Sequence, residues 1–592
     1  MPQMGDCRAC SEAHSMMKII RTSLCVWCLL VIPCAQVGAE AWHWLLATSG
    51  TAKSQALLRK HQWKEAQALY AKRLIAFAEA PGPKKNEALT QLVLYYDIAR
   101  YFEQMSDLDA AIIGDFLMSN TDFTTTLLFA FKPEDSPKQA FRVLAQIKRK
   151  LGEDDLVRYP GLAIAHALVW DSNKTPSNRF EAVDSFEYYA TNVGRMLNDI
   201  AGLPYQAALF LACAEATPAE RTWALGKIMQ PEQMFQVYNS VDYDWGAAFG
   251  GRKRIALHDY TLPNLLRYGG ICGDRAYYAA NVARASGIPA VLIAGLGLHG
   301  GHAWNGYVKS FEGGRCVWNL TCGRYESERY YVGITWDPQT GRQIYDYQIP
   351  MRTKECGLLP EKVKASNAWV CLAEVLEREK KTDLVKGCIA QALTNNRFNL
   401  AAWNYVMRMI KSGILGPEYG DQIIAEALKT FPDEPDFCFG VYTALLEEVP
   451  KEDFAERVRL YKQGVGFFKP RPDLTVALAR AYGDYLLEMN KRDEAYAVYH
   501  ETIRTYMDDP RLVVDMAVKV TNAQTLNDDL DKSVTLMKTM IGRTKKPAYN
   551  HPLSRYSTWY QLHLCLKGVY EKMGQQDEAD KIAAEIKRFK HR

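Results

Sequence analysis

Over both ends of this chain apolar residues recur at three- and four-residue spacing, and one internal stretch, residues 240 to 350, breaks that period. The segments "HQWKEAQALYAKRLIAFAEA" (61–80) and "SPKQAFRVLAQIKRKLG" (136–152) predict amphipathic helices, a habit that continues to about residue 230. His166 falls on the apolar face of one of them, "YPGLAIAHALVWD", and reads as a hydrogen-bonded core histidine. The internal stretch carries short runs rich in β-branched and aromatic residues: "AVLIA" (290–294), "AWNGYVK" (303–309), "RCVWNL" (315–320) and "YYVGITW" (330–336). Glycine, aspartate and proline clusters bound them, with a hairpin turn expected over Phe311 to Gly314. The pattern predicts an α+β core, a helix packed on an antiparallel sheet, flanked by helical domains.

From Ala365 onward helix, short polar turn and second helix alternate, as in "AYGDYLLEMNKRDEAYAVYHETI" and "LHLCLKGVYEKMGQQDEADKIAAEI". Gly483, Ala495 and Tyr499 stand where tetratricopeptide repeats pack small, small and bulky residues between paired helices, and Tyr570 with Ala579 repeats part of this. The C-terminal third therefore resembles a degenerate tetratricopeptide solenoid, which implies a concave face for a protein partner or a brace for the central domain.

A chain of 592 residues exceeds one ordinary core, so several domains are expected. A formal charge of +4 with no dense Lys/Arg block excludes a nucleic-acid partner from the leading expectations. Residues 1–39 read as an export signal. Lys18 and Arg21 precede the apolar run "SLCVWCLLVIPC", and "VGA" before Glu40 supplies small residues for cleavage. Translation is expected to start at Met16 or Met17, and Pro33 disfavours a lipid anchor at Cys34. The mature chain is then exported, periplasmic or extracellular, without a stable membrane span. Its domains are expected at 40–235 (helical), 236–350 (α+β) and 351–592 (helical repeats). Five of the 14 cysteines leave with the leader; the odd number that remains implies at least one unpaired thiol or an intermolecular bridge. Cys7 and Cys10 have zinc-like spacing without a second ligand pair, so no metal site is expected. Gly295, Gly297 and Gly300 spell GxGxxG, but a strand rather than a helix comes next. No nucleotide cofactor is expected there, and the glycines read as an open, mobile loop.

The stretch "YGGICGDRAYYAANVARASGIPA" (268–290) sets Cys272 at the start of a helix expected from about Gly273 to Ser286. Free backbone N–H groups and the helix dipole favour negative charge at that end. A nucleophile needs a proton partner, and His302 in "GGHAWNG" begins a strand that can aim an imidazole at the helix end, with His299 as a rival base. Asn319 in "CVWNL" is the candidate to orient the ring. Asp274, beside the helix start, reads as serving the dipole rather than the reaction.

In order and spacing these segments resemble the transglutaminase-like superfamily, a branch of the papain-like Cys-His-Asp/Asn fold, over roughly residues 240–345. The resemblance implies Cys272 as nucleophile, His302 as general base and acid, and Asn319, where most of the superfamily has Asp, as orienter. It implies an exported enzyme that hydrolyses or transamidates a protein or peptide carboxamide, with cell-envelope protein among the substrates. Backbone N–H of Cys272 is the expected oxyanion donor, with Tyr268, Asn264 or Trp245 as the second. The competing readings are a disulfide from Cys272 to Cys316 or Cys322, a structural His302, an Asn319 that bonds its local backbone, and a non-catalytic binding scaffold.

Overall fold

A computed structural model describes residues 57–589 except 59, 173–178, 249, 299, 527–529 and 548–556. The expected leader and the rival base His299 lie outside the described residues.

Helices fill the chain from Trp63 to Tyr268. Pro137–Leu151 shows how the sequence writes them: proline at the first turn, Phe141, Leu144 and Ile147 buried along one face, three cations in the last turn, and Gly152 at φ +101° to stop it. Pro160–Val169 is apolar all round and lies in the core, from Leu162 to Val169 without an exposed residue. His166 sits inside it, fully buried, its Nδ1–H donating to Leu162 O (2.9 Å) and its Nε2 paired with Ser185 Oγ (3.0 Å). Burial brings its pKa down to about 3, so the ring is neutral.

Arg221 knits this helical layer together, and Tyr188 ties it to the central α+β region. Fully buried, it donates to Ala216 O (2.8 Å), Ala214 O (3.1 Å) and Ser185 Oγ (3.0 Å), with its guanidinium over the rings of Phe180, Tyr188 and Tyr189. The Tyr188 hydroxyl donates to Ala285 O (2.7 Å), fixing the C-terminal end of the helix Cys272–Ala285, the site helix. Gly287 at φ +75° ends that helix and turns the chain into the sheet.

Five strands form one antiparallel sheet in the order β3-β2-β1-β4-β5: β1 Ala290–Gly297, β2 Gly300–Glu312, β3 Arg315–Cys322, β4 Ile334–Trp336 and β5 Gln343–Tyr345. Gly313 and Gly314, at φ +56° and +80°, make the two-residue turn between β2 and β3 that the right-handed strand twist favours. The sheet is covered on both faces. Ala290, Ala303 and Tyr307 meet the alanine-rich face of the site helix (Ala276, Ala279, Ala280, Ala283), small residues that let helix and strand approach closely. Asn305 crosses that contact, donating from Nδ2 to Ala276 O (2.7 Å). Val291, Ile293, Trp304 and Ile344 join the large core shared with helices on either side in sequence.

After Tyr345 every described element is helical. Pro360–Arg378 with Thr382–Asn395, and Pro472–Glu488 with Arg492–Tyr506, pack as successive pairs. A Cβ on Gly483 would stand 2.2 Å from the Tyr499 ring, so the small residue is what lets the bulky one close the pair. This array reaches the sheet beside the β1–β2 hairpin, where Arg511 donates to Leu296 O and Arg329 O (3.2 Å each) and Tyr331 donates to Asp509 (3.1 Å). No described helix is long and apolar enough to cross a membrane.

Candidate active site

Two glycines shape the entry to the site helix. Gly269 adopts φ +78°, in the left-handed region. Gly270 passes so near the helix that a Cβ there would lie 2.4 Å from Asp274 Cβ. That closeness lets the Asp274 carboxylate reach back to the Ile271 N–H (2.9 Å) and cap the first turn, while also taking Tyr260 O–H and Lys253 Nζ, both at 2.9 Å. Asp274 thus serves the helix end. Cys272 is the first helical residue, half-buried, with a free thiol, and around the next residue, Gly273, no atom lies where a side chain would go.

Tyrosines lie within electrostatic reach of the thiol. Tyr238, Tyr243 and Tyr325 all hold their protons more tightly than usual, first because they are buried and next because of Cys272. Tyr330 is raised mainly by burial, with Cys272 a smaller influence. The Cys272 backbone N–H faces the Tyr243 phenol oxygen. Arg275, one turn further along, sits over the Tyr243 and Tyr238 rings at 5.1 and 5.9 Å.

His302 belongs to the same group. Tyr325 stacks on its ring at 4.2 Å, Tyr330 lies at 6.0 Å, and Tyr238 donates to the carbonyl of the next residue, Ala303 (2.9 Å). The ring is 7% exposed, and its Nε2 is 2.7 Å from Gly323 O. A carbonyl oxygen only accepts, so Nε2 carries the proton and Nδ1 keeps its lone pair. Burial holds the pKa of this imidazole below its ordinary value, opposed by the Gly323 bond and Glu328. Among the described residues no hydrogen bond joins Cys272 Sγ to the ring; the two meet through the tyrosines.

The chain matches no family model and no curated protein.

Asn319 is not brought to His302. It stands opposite Tyr307 on β2, and its side-chain oxygen accepts from Thr321 N–H (2.9 Å) and Thr321 Oγ (3.1 Å), a local bond at the strand end. The orienting position is taken instead by a backbone carbonyl, that of Gly323. Hairpin arithmetic carries the signal: Glu312 faces Arg315 across the turn, so counting outward sets position 302 against 325 rather than 319. Tyr325 is the residue found stacked there.

The glycine motif also differs from expectation. Gly295 and Gly297 lie on β1 and Gly300 on β2, with no loop that spans all three. A Cβ on Gly295 would come 2.5 Å from the Trp304 ring, and one on Gly297 2.7 Å from Glu328 Cβ and 2.8 Å from the Tyr330 ring. These glycines make room for the aromatic wall beside His302. Trp245, proposed as an oxyanion donor, is 65% exposed and one ring removed from the thiol, 4.6 Å from Tyr243. Asn264 spends its side-chain N–H on Asp259 O, and Tyr268 stacks on His258. All nine described cysteines are free thiols, Cys272, Cys316 and Cys322 among them. No described group of His, Cys, Asp or Glu could hold a metal ion.

Proposed function

We propose that this chain is a thiol acyl-transfer enzyme of the transglutaminase-like class, in which Cys272 attacks a peptide carboxamide and His302 moves the proton. The observation that carries the reading is the Gly323 carbonyl on Nε2 of His302, which leaves Nδ1 as the basic nitrogen beside Tyr325, a phenol that also feels the Cys272 thiol. As sulfur bonds to the carbonyl carbon, the thiol proton passes to Nδ1, and the carbonyl oxygen takes the negative charge. Tyr243 retains its phenol proton at neutral pH, so the phenol is the donor for that oxygen, with the Cys272 N–H directed at the phenol oxygen behind it. His302 then returns the proton to the departing nitrogen, leaving a thioester on Cys272.

Water resolves the thioester unless an amine is held in its place, so hydrolysis is the default outcome. Exposed Trp245 and Tyr325 border the cluster and suit a carboxamide flanked by apolar side chains. The helical pairs, read as tetratricopeptide-like, brace the β1–β2 hairpin through Arg511, and export through the leader would set the substrate in the cell envelope or beyond. A p-nitrophenyl ester tests the chemistry. The expected result is release of nitrophenol with a transient acyl group on Cys272, absent in Cys272→Ala. An inert thiol, or acylation spread evenly over the other cysteines, would favour the scaffold reading, to which the Asn319 side chain turned toward Thr321 already lends support.

A further inference from the structure

Away from the tyrosine cluster, the turn side of β3 runs alongside the segment Thr353–Gly357 that leads into the C-terminal helices. Backbone and side-chain contacts fix this approach on both sides of Cys316. Toward the turn, a Cβ on Gly314 would lie 3.0 Å from Cys356 O, and one on Gly357 would lie 2.4 Å from the Arg315 side chain. Away from the turn, Trp318 Nε1–H donates to Thr353 Oγ (3.1 Å). Between these contacts stand Cys316 and Cys356, both half-buried and both free, each shifting the protonation of the other. Of the seven other described cysteines, Cys322, Cys371, Cys388 and Cys438 are buried in cores, Cys213 and Cys565 are half-buried, and Cys272 belongs to the candidate active site.

We infer that Cys316 and Cys356 are a disulfide-forming pair that locks β3 to the segment entering the C-terminal helical array. The step is thiol–disulfide exchange with a small-molecule or protein disulfide as oxidant. The Cys316 thiolate, its proton lost to solvent, attacks one sulfur of the oxidant; that disulfide breaks, releasing one thiolate and leaving a mixed disulfide on Cys316. The Cys356 thiol, losing its proton in turn, attacks the Cys316 sulfur and expels the second thiolate. Two protein thiols are oxidised and one external disulfide is reduced to two thiols. The pair itself sets the order of attack. Cys356, with help from Thr353, holds the Cys316 thiol below its ordinary pKa, whereas Cys316 and burial hold Cys356 far above its own.

Oxidised glutathione on the full-length, reduced protein tests this, with proteolysis and mass spectrometry under non-reducing conditions. The expected product is a peptide containing Cys316 joined to one containing Cys356, lighter by two hydrogens than the sum of the free peptides. In Cys356→Ser the attacker cannot be resolved, and glutathione should stay on Cys316; in Cys316→Ser no peptide linked to Cys356 through position 316 should form. Glutathione retained on Cys356 in the unaltered protein, or cross-links distributed equally to Cys213 or Cys322, would overturn the assignment. So would a reaction with no link between the two peptides.

Discussion

Replacing Gly270 by alanine perturbs the candidate site without touching a reactive group. The new methyl would lie 2.4 Å from Asp274 Cβ and 2.9 Å from its Cγ, well inside contact distance. Asp274 is 2% exposed and cannot swing to solvent without giving up Ile271 N–H, Tyr260 O–H and Lys253, each at 2.9 Å. Losing the cap costs about 1 kcal/mol, and losing a hydrogen bond to a charged group about 1.5–3 kcal/mol. If the backbone yields instead, overpacking costs about 1–3 kcal/mol. Between them the two routes weaken the first turn of the site helix by about 1–4 kcal/mol. Amide hydrogen exchange reads this locally: peptides covering 269–276 should exchange roughly fivefold to nearly a thousandfold faster, at a factor of ten per 1.4 kcal/mol. Peptides from Pro137–Leu151 should not change. Gly273→Ala is the contrast, since nothing lies within 4 Å of its added methyl. It should leave exchange unchanged or slow it by helix propensity, up to about 1 kcal/mol. Equal behaviour of the two variants would refute the argument that Gly270 is there to admit the Asp274 cap.

Two buried or locally bonded side chains give further outcomes. His166 is neutral when folded, with a pKa of about 3 against about 6.5 unfolded, so its contribution is fully present above pH 6.5 and is lost as pH falls toward 3. Acid should cost the unaltered protein about 1.4 kcal/mol more per pH unit across that window than His166→Gln, measured by urea unfolding at a series of pH values; parallel curves would contradict the burial argument. Asn319→Ala removes only the local bonds to Thr321, so stability should fall by about 1 kcal/mol or less and Cys272 reactivity should hold within about twofold. A tenfold loss of reactivity would mean that Asn319 orients the ring after all.

Local signals in the chain are strong where one segment decides its own structure. "GGICGD" marks the helix start because the residues that enter, cap and begin the helix are adjacent; the observed start at Cys272 is one residue from the expected one. The β2–β3 turn and the first three strands arise from glycines and alternation in the same way. Less was legible where pairing between segments decides. "YYVG" reads as strand, yet only Ile334–Trp336 pairs, because Tyr330 turns inward to pack on Trp304 (4.9 Å). Strand β5 is three residues inside a polar turn region, too short for a period to register. Two register shifts between β2 and β3, at Asn305/Tyr307 and Val308/Ser310, compensate each other, and no residue type announces them. The partner of His302 was hidden for a different reason: a backbone carbonyl has no side-chain signature, and only the fold sets Gly323 against the ring.

Alkylation kinetics test whether His302 Nδ1 serves the Cys272 thiol. Full-length protein is treated with iodoacetamide at neutral pH, and the rate at each cysteine is followed by quantitative mass spectrometry in unaltered protein and in His302→Gln. Cys565 serves as the internal reference because it is half-buried and lies on Thr558–Lys572, far along the chain from the Gly323 contact. With His302 as the base, Cys272 should react faster than buried Cys322 and Cys438, and loss of His302 should slow Cys272 by about tenfold or more while Cys565 is unchanged. A Cys272 rate that matches those of the buried thiols, or that does not respond to His302→Gln, would contradict it.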